Sequence, residues 1–435
     1  MIHCTAARRV TAVLAATVLA AAAWLAPPAV GAAADATEEM AEAADGPVRV
    51  SDVRGLSEAL RDAGPGTVIE LAPGTYRRAL HTSDVRGAPG RPVVVRSAEA
   101  DRPAVFEGVG VQFSDPAHLV IENVVVRNAP HNGLNIDDGG SRETPAHHVV
   151  LRGVVVEGTG PDGNKDGIKL SGVDDLLVER CTVRGWGGGG GSGIDMVGCH
   201  RALFYDCRLQ GRSGTPSNGI QAKGGSSEVV VRRCRLIDAG GRAIQFGGST
   251  GIPYFRPPDA KYENRRSVAL GNVIIGASAA VSFVGTEDSA FLYNTVVRPR
   301  RWVLRILQEQ RAEGYLRCRD NTFAHNLAVW REGDVRSHVN VGPDTHPETF
   351  TFAENLWYEV DGSAGRSRPR LPAKETGGVY GKDPGLADLA RPGPPDEAYA
   401  AFGHTAEGEA EAWRTRARPL VKWAAGQVRE GGEAK

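Results

Sequence analysis

A short pattern of alternating apolar and polar residues recurs along the middle of the chain, each copy beginning with Gly or Ala. Six copies stand at residues 133–138 (GLNIDD), 167–172 (GIKLSG), 193–198 (GIDMVG), 219–224 (GIQAKG), 243–248 (AIQFGG) and 280–285 (AVSFVG). Alternation with a period of two is typical of a strand with one buried face. Strands this short cannot bury that face alone, so the repetition predicts that they stack.

A second pattern is a strand run that reaches Asn, Gly or Cys and continues into another short strand. Its marker residues are Asn123, Gly153, Cys181, Cys207, Cys234, Asn272, Asn294, Asn326 and Asn355. Most spacings are roughly 22 to 34 residues, as in stacked repeats. Together the two patterns predict an all-β fold, a right-handed parallel β-helix, legible over residues 67–360.

The marker residues are expected to stack at one bend of the helix. Asn123, Cys181, Cys207, Cys234 and Asn272 are assigned to one column, with neighbouring strands about 4.8 Å apart. We interpret the column as an internal polar ladder that satisfies backbone groups at the bend. A disulfide between neighbouring coils and metal binding by the cysteines are the alternatives.

The regions outside the repeat suggest a secreted protein with a capped solenoid. Arg8 and Arg9, an apolar run over 10–29 and small residues at 30–33 predict a signal peptide over 1–33. An acidic linker follows over 34–46, the β-helix over 47–360, and a C-terminal loop and helical cap over 361–435. Residues 53–63 form an amphipathic capping helix, with Leu56, Leu60 and Ala63 on one face. A second helix, over about 397–428, is expected to pack over the last coil.

Composition narrows the classes of partner. The formal net charge of −1 gives no overall attraction to nucleic acid. No apolar run after the signal peptide is long enough to span a membrane. Loss of Cys4 with the signal peptide would leave five of the six cysteines, so the chain does not have a disulfide framework. We therefore expect an extracellular monomer that binds any anionic polymer through local cations.

The Gly-led strands and the bends marked by Asn or Cys resemble the pectate-lyase-like superfamily of right-handed β-helices, over nearly the whole mature chain. The resemblance implies the fold, and the activity must be argued from the site.

Outward-facing residues of the first pattern define two polar columns across the coils. The first contains Asn135, Lys169, Asp195, Gln221, Gln245 and Ser282, with Arg305 expected further along it; the second contains Asp137, Ser171, Val197, Lys223 and Gly247. We expect this face to be exposed, between walls formed by loops 139–147, 158–165, 186–193 and 249–266. The predicted substrate-binding residues are Gln221, Gln245, Asn135, Trp186, Tyr254, Arg256 and Arg305.

These residue types suit β-elimination on a uronic-acid polysaccharide. The reaction needs a cation at the sugar carboxylate, a base for the C5 proton and an acid for the leaving oxygen. Lys223 is the candidate base; Lys169 and Arg242 would supply nearby positive charge and grip the carboxylate, and Arg242 has the better geometry for this. Alternatively, Asp137, Asp166 and Asp195 could hold a calcium ion, either structural or catalytic.

Residues 217–248, with Lys223 in IQAKGG, are similar to the chondroitinase B and alginate lyase family. That resemblance implies that a strand lysine acts as the base, assisted by an Arg-His pair on the following coil. Lys223 matches the lysine, whereas Phe246 and Gly247 stand where the pair would be. Arg242, which begins that strand, would have to act from another direction.

Two other classes of function remain open. An inverting glycoside hydrolase needs two carboxyl groups about 6.5–9.5 Å apart, which Asp166 could form with Asp195 or with Asp137. A non-catalytic polysaccharide-binding or cell-surface β-helix would present a broad polar face instead of a focused cluster. The basic segment 297–311 could extend an anionic-polymer site through Arg305, or be a solvated edge with Trp302 and Leu304 buried.

Overall fold

The structure is a computed structural model that describes residues 46–212, 214–386 and 406–421. The predicted signal peptide and all but the last residue of the predicted linker lie outside this range. Two α-helices are present, α1 (Val53–Asp62) and α2 (Ala406–Ala412). A π-helical turn (Trp413–Ala417) and a 3-10 turn (Arg418–Val421) continue α2, and further 3-10 turns lie at Ile252–Tyr254 and Pro347–Thr349.

The first half of the described chain contains eighteen short strands. They are β1 (Val48–Val50), β2 (Val68–Leu71), β3 (Gly74–Tyr76), β4 (Leu80–Ser83), β5 (Val93–Ser97), β6 (Ala104–Glu107), β7 (Val111–Ser114), β8 (Ala117–Glu122), β9 (Val125–Arg127), β10 (Leu134–Asp137), β11 (Ala146–Arg152), β12 (Val155–Glu157), β13 (Ile168–Ser171), β14 (Val173–Glu179), β15 (Thr182–Arg184), β16 (Ser192–Val197), β17 (His200–Tyr205) and β18 (Arg208–Gln210).

The second half continues in the same way. Its strands are β19 (Asn218–Lys223), β20 (Ser226–Arg232), β21 (Arg235–Ile237), β22 (Arg242–Gly247), β23 (Asn264–Arg265), β24 (Val268–Leu270), β25 (Val273–Ile275), β26 (Ala279–Val284), β27 (Thr286–Glu287), β28 (Ala290–Leu292), β29 (Thr295–Val297), β30 (Trp302–Leu307), β31 (Thr322–Ala324), β32 (Leu327–Trp330), β33 (Val339–Val341), β34 (Thr351–Ala353), β35 (Leu356–Glu359), β36 (Glu375–Thr376) and β37 (Val379–Tyr380).

The strands form three parallel sheets, and each coil contributes in turn to all three. Sheet 1 has ten strands in the order β4-β7-β10-β13-β16-β19-β22-β26-β30-β33. Sheet 2 has fifteen strands, from β1 to β36, with β23 and β27 beside its main path, and sheet 3 has twelve, from β3 to β37. This is the predicted right-handed parallel β-helix, and its strands continue beyond residue 360 to Tyr380.

Inward-facing residues of sheet 1 fill the core in a continuous column. Leu170, Met196, Ala222, Phe246 and Phe283 lie in register on consecutive strands and are fully buried. The small Ala222 lies between two large neighbours, so the sizes of stacked side chains compensate from coil to coil. The alternate residues of the same strands therefore face outward, and they form the candidate site.

A buried asparagine ladder runs along the bend between sheets 2 and 3. The backbone N–H of Asn272 donates to Asn294 Oδ1 at 2.9 Å. In the same way, Asn294 N–H donates to Asn326 Oδ1, and Asn326 N–H donates to Asn355 Oδ1. Cys234 N–H donates to Asn272 Oδ1 at 2.9 Å. The ladder satisfies backbone groups that the bend would leave unpaired, as predicted.

The cysteines extend this ladder without forming disulfides. Cys181 donates its thiol to Leu151 O at 3.5 Å, and the five described cysteines are all free and buried. The placement of Asn123 in the column was wrong by one residue. Strand register aligns Asn123 with Gly153 and Arg180, and all three residues have a positive φ. The next residue, Val124, therefore takes the ladder position in its coil.

The N-terminal cap agrees with the sequence. Leu56 and Leu60 of α1 are buried against the first coils, and Ala63 is partly buried beside them. Asp52 caps the helix by accepting from Gly55 N–H at 2.8 Å.

The predicted C-terminal cap needs a correction. The helical segment 406–421 packs on the outer face of sheet 2, where Trp413 joins an apolar cluster that includes Leu203, Val230 and Leu270. Arg232 lies 4.2 Å from the Trp413 ring. The last coil is covered instead by residues 361–381, in which Leu371 and Ala373 pack against the core. The rest of the predicted helix lies outside the described residues.

Within the part of the chain that the structure describes, the helices are too short and too polar to cross a membrane.

Candidate active site

Strand register on sheet 1 places the predicted site residues in two columns. The first column reads His81, Gln112, Asn135, Lys169, Asp195, Gln221, Gln245, Ser282, Arg305 and Asn340. The second reads Ser83, Ser114, Asp137, Ser171, Val197 and Lys223. Period-two alternation within each strand and parallel stacking between strands are together sufficient to align them.

The expectation that this whole face is exposed was wrong for its centre. Asp195, Gln221 and Gln245 retain 2, 5 and 1 % of their accessible surface. The chain returns over them at Gly248, where a Cβ would lie 2.8 Å from Gln221 Nε2 and 3.3 Å from Lys223 Cδ. The site is therefore a recessed strip of buried amides and carboxylates, with the lysines partly accessible.

A cluster of alternating charges occupies the middle of the strip. The Lys169 ammonium contacts Asp195 Oδ2 directly and lies 3.8 Å from Asp166 Oδ2. Lys223 Nζ lies 3.2 Å from Asp195 Oδ1, an ion pair without hydrogen-bond alignment, and donates to Gln221 Oε1 at 3.4 Å. Asp195 is thus shared by two lysines, and the contact to Lys169 is the closer one.

The environment shifts the pKa of three members of this cluster. Burial raises the pKa of Asp166 to about 6, reinforced by the negative charge of Asp195 and opposed by Lys169. Burial acts against the charged form of Asp195, but Lys223 and Lys169 outweigh it and lower its pKa. Burial alone would lower the pKa of Lys169, but the negative charges of Asp195 and Asp166 outweigh it and raise the pKa. Lys223 itself contacts a carboxylate and an amide oxygen, so the positive charge expected near it, that of Lys169, reaches it across the shared Asp195.

Two arginines lie further along the strip. Arg242 Nη2 pairs with Glu309 Oε1 at 2.8 Å, and Arg305 Nε donates to Asn340 Oδ1 at 3.0 Å. The Arg305 guanidinium also lies 4.3 Å from the Trp302 ring, which is only partly buried. Burial and the neighbouring Arg242 lower the pKa of Arg305 to about 10. These arginines provide positive charge that a carboxylate could neutralise.

Two polar atoms between the lysines and the arginines lack partners. Gln245 Oε1 and Ser282 Oγ are buried, and neither has a hydrogen bond to any described residue. They belong to consecutive strands of the first column, immediately before Arg305. Buried polar atoms without partners are rare and costly, so these two mark the least satisfied part of the strip.

The insertion 249–266 lies beside the strip, but its residues do not all serve as expected. Arg256 pairs through two nitrogens with Asp138, which is 1 % exposed, and also donates to Tyr254 O at 3.0 Å. This guanidinium holds the insertion on the coils, so its assignment as a substrate ligand was wrong. Tyr254 is 63 % exposed and accessible, as expected of a contact residue.

Trp186 was also assigned wrongly to substrate binding. It is 1 % exposed and belongs to the core, close to Gly193 and Gly211. The glycine run that follows it packs tightly against an earlier loop, since a Cβ at Gly191 would lie 2.2 Å from Lys165 O. The run therefore permits close stacking of turns instead of forming an open wall.

The carboxylates proposed as calcium ligands do not form a suitable set. Asp195 is bound to two lysines, and Asp166 accepts from Ser192 N–H at 2.7 Å and faces Lys169. Asp137 accepts from Asn135 Nδ2 at 2.7 Å. Because ammonium groups occupy the space that a cation would need, this arrangement does not favour calcium.

Several site residues were missed from the sequence. Glu309 pairs with Arg242 across 67 residues, and Glu263 accepts from Gly224 N–H and Thr250 N–H at 2.9 and 2.8 Å. Gly248 closes over the strip. The glutamates lie in loops without a repeat, so no periodic signal marks them. For Gly248, the available signal was the pair of glycines that ends the fifth repeat.

The chain is similar to several solved structures. The solved structures similar to this chain include an alginate lyase from Paenibacillus sp. str. FPU-7 (18 % identity, covering 67 % of this chain and 98 % of that one, TM-score 0.48). A second is a GH136 lacto-N-biosidase from Eubacterium ramulus (12 % identity, covering 75 % of this chain and 64 % of that one, TM-score 0.49). A third is a mannuronic acid specific polysaccharide family 6 lyase from human gut microbiota (14 % identity, covering 87 % of this chain and 99 % of that one, TM-score 0.48).

Among curated protein sequences, none matches this chain. The family model described as a right handed beta helix region matches residues 108–297. Three parallel sheets extend the same architecture to both sides of that region. The chain therefore has the right-handed parallel β-helix fold.

Proposed function

We propose that this protein is a polysaccharide lyase that cleaves a uronic-acid polymer by β-elimination on the outer face of sheet 1. The observation that carries the proposal is the sharing of buried Asp195 between Lys169 and Lys223. The closer contact holds Lys169 firmly on Asp195. Lys223, whose side chain is 20 % exposed, faces a strip that could accept sugars.

Substrate binding is assigned to the arginine end of the strip. The protein has almost no net charge, so an acidic polymer must be held by local cations. Arg305 has a neutral hydrogen-bond partner in Asn340, and Arg242 could exchange Glu309 for a sugar carboxylate. Because strands stack about 4.8 Å apart, a polymer lying across them would meet successive residues of the first column.

Lys223 is the proposed base. It accepts the C5 proton; the C5–H electrons form the C4–C5 double bond, and the C4–O bond breaks. The protonated lysine then donates the same proton to the leaving oxygen, so no water is consumed. Lys169 stays paired with Asp195, so the buried carboxylate keeps a cationic partner when Lys223 acts on the substrate.

Arg242 is proposed to neutralise the uronate carboxylate. Negative charge builds up there as the C5 proton leaves, and a guanidinium can donate two parallel hydrogen bonds to it. Its present partner, Glu309, holds the side chain in place with 30 % of the glutamate exposed. A sugar carboxylate that replaces Glu309 would leave this partly exposed glutamate to be solvated by water.

Hydrolysis by Asp166 and Asp195 fits the geometry less well. Both carboxylates contact the same ammonium of Lys169. An inverting pair needs a gap of about 6.5–9.5 Å for water and substrate, whereas here a lysine lies between them. The raised pKa of Asp166 would suit a general acid, but the residue is 3 % exposed.

The test is the ultraviolet absorbance of the unsaturated uronide, with tag-free mature protein and pectate, alginate, chondroitin and heparin, with calcium or with chelator. Wild-type protein should raise the absorbance with at least one polymer. Lys223→Met should reduce the rate by about 10²–10⁴-fold, the usual contribution of a general base. Lys374→Met, at an exposed lysine of the C-terminal cap, is the matched control.

Three outcomes would count against the proposal. New reducing ends without absorbance would indicate hydrolysis. Normal turnover by Lys223→Met would remove Lys223 from the mechanism. Tight binding of a polymer without any cleavage would favour a carbohydrate-binding role.

A further inference from the structure

Three histidines converge on the outer face of sheet 2, on a different sheet from the proposed lyase site. His118 lies on β8, and His147 and His148 lie at the start of β11. Their ring centroids are 4.4 Å (118–148), 5.1 Å (147–148) and 5.4 Å (118–147) apart. One nitrogen of each ring can be chosen so that all three lie within 4.8 Å of one another.

The backbone explains why residues from two coils meet here. Strand register pairs Ala117 with His147 and Leu119 with Val149, and leaves His118 opposite His148. Both of these histidines have a left-handed backbone, with φ of 50° and 56°. The matching kinks place the two rings one above the other, and His147 projects beside them.

The three rings have the chemistry of a transition-metal site. Each of the three partly buried rings has a nitrogen that can serve as a metal ligand. Neutral imidazole is the form that binds zinc and related ions. The Nδ1 atoms of His147 and His148 lie 2.9 Å apart, close enough for one ring to donate a hydrogen bond to the other.

The charged neighbours are balanced around the cluster. Asp175 Oδ2 lies 3.9 Å from His148 Nδ1, the same nitrogen that faces His147, and so places a negative charge beside the cluster. Arg201 pairs with Asp175 at 2.7 Å, and Arg86 pairs with Asp115. The nearest cations are thus already neutralised by carboxylates, which reduces their repulsion of a divalent ion.

We propose that His118, His147 and His148 bind one divalent transition-metal ion of the zinc class. The ion would join two successive coils, because one ligand comes from β8 and two come from β11. Among the described residues, no other group of three or more His, Cys, Asp or Glu side chains is close enough to hold a metal. Three nitrogen ligands favour zinc, cobalt, nickel or copper over calcium and magnesium.

The test uses tag-free protein stripped with chelator and titrated with Co²⁺, whose visible absorption reports its coordination, followed by displacement with Zn²⁺. One ion per chain should bind, and the thermal unfolding temperature should rise with Zn²⁺ but not with Ca²⁺. His118→Asn and His148→Asn each keep a residue that tolerates the left-handed backbone. Each should weaken binding about tenfold or more, as should His147→Gln.

His131→Asn is the control, since His131 is exposed and outside the cluster. It should bind the metal as wild type does. Absence of saturable binding, or equal binding by wild type and the three cluster variants, would overturn the proposal. These outcomes are independent of the lyase proposal, because the cluster is on sheet 2 and lyase activity is not the readout.

Discussion

Asp166 is the residue whose charge state is most altered by its position in the strip. Burial and Asp195 raise its pKa from 3.8 to about 6, so the folded state binds this proton more tightly than the unfolded state. The folded state therefore loses stability as pH rises from about 4 to about 6, and does not regain it above that range.

Replacing Asp166 by Asn should remove this pH dependence. Asn keeps an oxygen that can accept from Ser192 N–H and carries no buried charge. The unfolding temperature of Asp166→Asn relative to wild type should be higher at about pH 7.5 than at about pH 4, as measured by calorimetry. Asp162→Asn, at an exposed carboxylate, serves as the control. A difference that is constant with pH, or larger in acid, would contradict the assignment.

Gly248 offers a second test at the residue scale. A Cβ there would lie 2.8 Å from Gln221 Nε2 and 3.2 Å from Gln245 Nε2. Since these are the ends of flexible side chains, Gly248→Ala should fold but displace the amides and Lys223. We expect turnover to fall by about tenfold or more, given the sensitivity of catalysis to small misplacements, with an unchanged circular dichroism spectrum.

Gly64→Ala is the matched control, because a Cβ there would meet nothing within 4 Å. Full activity in Gly248→Ala would show that the strip tolerates crowding, and would argue against the positions assigned to Gln221 and Lys223.

At the scale of elements, the insertion 249–266 is held by buried polar contacts. Arg256 reaches Asp138 across 118 residues of sequence, and Phe255 packs against Tyr315 with ring centroids 5.1 Å apart. A Cβ at Gly198 would lie 2.2 Å from Arg256 Cβ, so the coil can accept the insertion only because this residue is glycine.

Breaking the Arg256–Asp138 pair should loosen the insertion. Arg256→Met keeps most of the stem but leaves the Asp138 carboxylate buried and unpaired, which costs about 3–5 kcal/mol. Calorimetry should show this loss, and limited proteolysis should cut within 249–266. Arg54→Met removes only an exposed pair with Glu58 and should leave the unfolding temperature close to that of the wild type. Equal stability of the two variants would show that Arg256 does not anchor the insertion.

The sequence predicted the strands and their outward columns because both follow from local period and parallel stacking. It failed where distant segments cover the coils. Nothing in the repeat indicates that Arg256 pairs with Asp138, that Glu309 pairs with Arg242, or that Trp186 is buried beneath glycine-rich turns. Packing of this kind also buries Asp195. Its contacts with Lys169 and Lys223, in contrast, follow from the positions of these residues in the two columns of sheet 1.

For the molecule as a whole, the local pattern again predicted the repeating coils but not the contacts between distant segments. The repeat and the asparagine ladder predicted one solenoid, whereas the packing of 406–421 on sheet 2 depends on contacts such as Arg232–Glu409, which are 177 residues apart. Secretion, a monomeric state and the absence of a nucleic-acid partner remain predictions from residues 1–33 and from the composition.

The whole molecule presents one polar strip along sheet 1, with lysines and a shared carboxylate in its centre and arginines further along. This order suits a polymer whose negative charges are spaced along its length. In the proposed mechanism, Arg305 would hold the polymer, Arg242 would neutralise the carboxylate of the reacting sugar, and Lys223 would remove the proton.

The most direct test of the central claim is the origin of the oxygen in the product. A uronic-acid polymer that the protein cleaves should be digested in water labelled with a heavy oxygen isotope, and the oligosaccharides weighed by mass spectrometry. Elimination predicts unsaturated products one water lighter than hydrolysis products, without label at the cleaved bond. Saturated products that carry one heavy oxygen per cleavage would contradict the account.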